Sequence, residues 1–122
     1  MWTYTTYILS KYFEIHPEKE DELAFSDFAD FVFDVLWRKD NLIFHDGVQD
    51  LYLDFKYLKK LEIIEFKEND NLEKVKVKIR DKNKISQIVE VVEESATLTG
   101  VKLFSEYLQR INKAVERTRV VT

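Results

Sequence analysis

Cysteine is absent from the 122 residues, which excludes disulfide staples, thiolate zinc sites and cysteine nucleophiles, and points to an intracellular setting. Glycine occurs twice and proline once. A sandwich or barrel needs many such turn residues, so long helices are expected instead. No run of 18 apolar residues is present, and the opening WTYTTYILSKYFEIHP has no basic leader before its apolar part. A membrane span and export therefore lack support, and the cytoplasm is the expected location. Histidine is scarce: His16 and His45 belong to no metal-binding repeat or nucleophile signature, and both read as structural or exposed. Gly47 and Gly100 lie far apart, outside any phosphate loop. The acidic run Glu18, Glu20, Asp21 and Glu22 lacks the ordered spacing and glycine turn of a calcium loop. No cofactor, metal or catalytic constellation is expected, hence no enzyme.

What is present is apolar and charged matter in quantity. Hydrophobic residues make up 45% and aromatics 14%, enough for one substantial core at a length that favours a single unit. Charged residues reach 34%, a balance that leans thermophilic. The net charge is −4, but it is unevenly spread. Residues 1–60 hold 7 basic and 12 acidic groups, whereas 61–122 hold 12 and 11. The most basic stretch is 72–84, LEKVKVKIRDKNK.

Tyr4, Tyr7, Ile8, Tyr12 and Ile15 recur at helical spacing and predict a first helix, ended by Pro17 and a charged loop. Phe25, Phe28, Phe31, Val32, Val35 and Leu36 form a second stripe, with Asp27, Asp30 and Asp34 opposite and Ser26 as the expected N-cap. Residues 39–47 read as a connection in which Asp46 and Gly47 cap and turn the chain. A third helix follows, burying Val48, Leu51, Tyr52, Phe55 and Leu58. Its outer face carries Gln49, Leu53, Lys56, Tyr57 and Lys60, with Asp50 and Asp54 along one edge. LEIIEF and KVKVKIR read as strands joined by a polar loop. Val75, Val77 and Ile79 alternate with Lys74, Lys76, Lys78 and Arg80, so one side of the second strand is aliphatic and the other cationic. Beyond Asn83, Val101, Phe104, Leu108, Ile111 and Val115 repeat at spacings of 3, 4, 3 and 4, a heptad seam.

The sequence FSDFADFVFDVL, then GVQDLYLDFKYLKKLEIIEF and the basic strand, resembles a winged helix-turn-helix domain. The resemblance covers roughly residues 4–82. It implies an α+β fold, mainly helical, with a two-stranded wing over domain 1–82 and a long helical extension over 83–122. It also implies a DNA-binding protein, a transcriptional regulator in type. The third helix would enter the major groove of duplex DNA with Gln49, Leu53, Lys56, Tyr57 and Lys60, while Lys74, Lys76, Lys78 and Arg80 on the wing meet phosphates. A continuous helix over 85–118 would extend about 51 Å, longer than the domain is wide. Part of it must project or bend, with Gly100 a place for a kink or break. The stripe of Val101, Phe104, Leu108, Ile111 and Val115 is expected to build a homodimer, the alternative being a helix that covers the domain within one chain. A reading from another class is a protein adaptor that uses the acidic face at Asp27, Asp30 and Asp34 and its aromatic neighbours.

Overall fold

A computed structural model of the chain describes residues 2–98 and 102–117, with side chains described outside 96–105. Helix α1 (Trp2–Ile15) buries Tyr7, Ile8, Tyr12 and Ile15 as its spacing requires. After Pro17, Glu20 and Asp21 adopt left-handed φ values of 50° and 71°, and Glu22–Ala24 forms a strand, β1. The two-stranded ribbon expected from sequence is thus three-stranded. Three residues are too few for alternation to register, which is why periodicity left this stretch as loop.

Helix α2 (Phe25–Asp30) continues as a π-helical segment, Phe31–Lys39. Phe25, Phe28, Phe31, Val32 and Leu36 are buried, while Val35 is only half-buried. The wider i→i+5 winding accounts for this, because it carries Val35 off the stripe that a regular helix would make. Ser26 is not the cap. It lies inside the helix, and the position ahead of the helix is Ala24, which makes no side-chain cap. The first helical N–H, that of Phe25, instead donates to the Val75 carbonyl at 2.9 Å, so the third strand's lead-in replaces a capping hydroxyl.

Between 41 and 45 the backbone is irregular. Asn41 is left-handed (φ 56°), a conformation asparagine tolerates, and Leu42 turns into the core. Helix α3 (Val48–Lys60) buries Leu51, Tyr52, Phe55 and Leu58 but, against expectation, leaves its first residue, Val48, exposed. Gly47 is extended, at φ 178°, and neither it nor Asp46 supplies a side-chain cap. Asp50 Oδ2 reaches back instead and accepts from the Asp46 N–H at 3.2 Å. The far end closes as a Schellman motif. Ile63 N–H donates to the Leu58 carbonyl and Glu62 N–H to that of Lys59, with Glu62 left-handed at φ 61°.

Strands β2 (Ile64–Glu65) and β3 (Lys76–Ile79) complete an antiparallel sheet in the order β1-β3-β2. Leu23 pairs with Val77 and Ile64 with Ile79, and this side is buried. The core is aromatic: Phe25 meets Phe55 edge-on at 4.9 Å between centroids, and Tyr12 packs on both Phe28 and Phe31.

Helices α4 (Lys82–Leu98) and α5 (Lys102–Arg117) both pack on α1 and on each other. The extension, expected to project or bend, is two helices folded against the domain. Leu108, Ile111 and Val115 are buried within one chain. Val101 and the side chain of Phe104 lie outside the described residues. Asn112 Nδ2 donates to the Tyr7 hydroxyl at 3.0 Å, Arg110 Nη2 donates to the Asp40 carbonyl at 2.7 Å, and Arg117 pairs with the Asp40 carboxylate. The molecule is an α+β protein, mainly helical, with element order helix, strand, helix, helix, strand, strand, helix, helix.

Candidate nucleic-acid interface

The outer face of α3 is open. Gln49, Leu53, Lys56, Tyr57 and Lys60 are all exposed, with Leu53 at 60% and Tyr57 at 43%. α1 and β2 pack on the opposite side of the helix, and this geometry follows from the 100° step that separates the two sets of side chains. Tyr57 leans on Trp2, with ring centroids 5.3 Å apart, so one flank of the face continues onto α1.

Asp54, expected along one edge of this face, is turned inward. Its Oδ2 accepts from Thr5 Oγ1 at 2.7 Å and from His45 Nε2 at 2.7 Å, while Thr5 Oγ1 and His45 Nε2 lie 2.9 Å apart. Burial works against its charge, but the His45 and Thr5 hydrogen bonds prevail and hold its carboxyl below the usual range. Thr5 and His45 are buried, and His45 Nδ1 has no partner among the described groups. This polar knot was not foreseen. A catalytic triad needs nucleophile and carboxylate on opposite nitrogens of the ring, whereas here both meet Nε2, so the arrangement ties α1 to α3 rather than activating the threonine.

Lys76 and Lys78 lie on β3, Lys74 ends the short 3-10 turn Leu72–Lys74 before it, and Arg80 follows it. All four are exposed, and among the described residues none forms an ion pair. The face is nonetheless mixed. Glu22 on β1 and Glu65 on β2 stand directly across from Lys78, one on each side, at a separation where cross-strand charges interact. The purely cationic side anticipated from alternation is therefore interrupted by neighbours that a single strand cannot reveal.

The β2–β3 loop approaches α3, with Lys56 Nζ 3.7 Å from Glu68 Oε1. That loop carries Glu68, Asp70 and Glu73, all exposed. The loop is thus of mixed charge, with Lys67 and Lys74 beside these three carboxylates, and its contact with α3 is made by Glu68. Among the described residues, no group of three or more histidine or acidic side chains is arranged to hold a metal ion, and no helix is long and apolar enough to cross a membrane. No protein-family model matches the chain, and neither curated proteins nor solved structures yield a significant match.

Proposed function

We propose that the chain is a winged helix-turn-helix protein that binds duplex DNA and regulates transcription in the cytoplasm. The helix–strand–helix–helix–strand–strand order and the β1-β3-β2 sheet support the fold assignment. The observation that carries the functional reading is the uncovered face of α3, where Gln49, Lys56, Tyr57 and Lys60 supply donors and Leu53 an apolar contact for a thymine methyl. The Asp54 carboxylate is engaged by Thr5 and His45 and not presented on this face. Lys74, Lys76, Lys78 and Arg80 add phosphate contacts that release counterions. Because Leu108, Ile111 and Val115 are consumed inside the chain, the proposal requires no dimer through that stripe.

The test is binding to mixed-sequence duplex DNA across a salt series, native chain against Lys74→Ala, Lys76→Ala and Lys78→Ala combined. Loss of up to three phosphate contacts should weaken binding and flatten the slope of log affinity against log salt by roughly 2 to 3. Affinity and slope left unchanged by the triple substitution would overturn the reading.

The carboxylates on the loop beside α3 favour a second reading, in which this side of the molecule receives another protein.

A further inference from the structure

An open groove of about 660 Å³ runs between α3 and the β2–β3 loop, and its chemistry is the reverse of a phosphate site. The loop contributes the carboxylates of Glu68 and Asp70 and the amide of Asn69. The helix contributes Gln49, Tyr52 and Lys56. Lys56 Nζ lies 3.7 Å from Glu68 Oε1 and 5.6 Å from the centre of the Tyr52 ring. The groove therefore already holds one cation, the chain's own, between a carboxylate and an aromatic face. That cation answers only one of the two carboxylates, since Asp70 is exposed and in no ion pair among the described residues. Tyr52 supplies the aromatic face. It is 8% exposed, yet its hydroxyl has no hydrogen-bond partner among the described groups. Its ring is held in place by Phe25 and Phe66, so the groove meets a fixed aromatic face.

We infer that the groove docks an arginine-bearing extended segment of a partner protein, whose guanidinium takes the place Lys56 now holds between Glu68 and Tyr52. A planar guanidinium suits this position better than an ammonium. It stacks on a ring, presents paired N–H groups to a carboxylate, and is more weakly hydrated. Asp70, which lines the same groove, adds a second negative charge for it, and the amides of Gln49 and Asn69 serve the segment's backbone. The groove shares Gln49, Leu53 and Lys56 with the face proposed for DNA, and its two carboxylates repel phosphate, so a docked segment and duplex DNA would compete for this side of α3; the inference does not rest on that proposal. Lys56 separates the two. DNA binding loses a contact when Lys56 is removed, whereas docking gains a vacated position.

The experiment titrates the full chain with the blocked peptide acetyl-Gly-Arg-Gly-Arg-Gly-amide and with its uncharged citrulline counterpart, following backbone amides by NMR. Saturable shifts are expected at Gln49, Leu53 and residues 68–72. The citrulline peptide should bind about tenfold more weakly, as loss of a charge-assisted pair requires. Glu68→Gln combined with Asp70→Asn should abolish the shifts, and Lys56→Ala should tighten binding; all three positions are exposed, so folding is retained. No saturable shift, equal binding of the two peptides, shifts centred on Asp27, Asp30 and Asp34, or weaker binding by Lys56→Ala would each overturn the inference. Duplex DNA added in parallel should leave the amides of residues 68–72 unmoved, and DNA shifts centred there would overturn it as well.

Discussion

His45 Nε2 and Asp54 Oδ2 lie 2.7 Å apart and join the irregular stretch ahead of α3 to the helix itself, with Thr5 of α1 completing the contact. Position of the exposed α3 face thus depends on a buried polar contact as well as on apolar packing. Asp54→Ala leaves His45 and Thr5 without their acceptor and should cost about 2 to 3 kcal/mol in urea unfolding. A loss below about 0.5 kcal/mol, the range of ordinary surface changes, would refute that role.

The same contact has a pH signature. A carboxyl more acidic in the folded than in the unfolded chain contributes stability in full above its unfolded value, about 3.9 for aspartate, and that contribution is lost as pH falls through the folded value. Unfolding free energy should therefore decline more steeply below about pH 4 in the native chain than in Asp54→Asn. Identical slopes would show that Asp54 is not linked to acid unfolding.

Glu62 occupies the left-handed position that closes α3, where a Cβ is unfavourable and glycine is the usual resident. Glu62→Gly relieves about 1 to 2 kcal/mol of backbone strain and returns part of it as unfolded-chain entropy, for a net gain of roughly 0.5 to 1 kcal/mol. Thermal unfolding should shift upward by a few degrees. A lowered midpoint would contradict the Schellman closure.

Ile111 is wholly enclosed by its own chain. Ile111→Ala should cost about 2 to 5 kcal/mol, and both native and variant midpoints should be independent of protein concentration. A midpoint that climbs with concentration would restore a second copy to the α5 seam.

Glu22 and Glu65 flank Lys78 across the sheet. If this face meets phosphates, Glu22→Gln with Glu65→Gln removes two opposing charges, and duplex affinity at low salt should rise by about two- to tenfold. No change, with the triple lysine variant also silent, would take β3 out of the DNA interface.

Much of this architecture was legible residue by residue. The alternation of Val75, Val77 and Ile79 with lysines placed the strand and its two sides, and the spacing of Leu51, Tyr52, Phe55 and Leu58 oriented α3, because both patterns are set by the geometry of one element alone. Strand β1 escaped notice because its pairing with β3, not its own three residues, makes it a strand. Val35 packs against the core but stays half-buried, because π-helical winding departs from the regular helical period.

By itself, then, the order of amino acids decided which side of each element is apolar and where helices and strands must end, since these follow from local steric periods and from proline and turn chemistry. Tertiary structure alone decided what each side meets. The stripe of Leu108, Ile111 and Val115 demanded cover, and the return of α5 onto α1 supplies it within the chain. Thr5 and Asp54, 49 positions apart, share a hydrogen bond that no local pattern encodes. Burial is a demand made locally, but the partner that satisfies it is chosen by how the whole chain reverses in space.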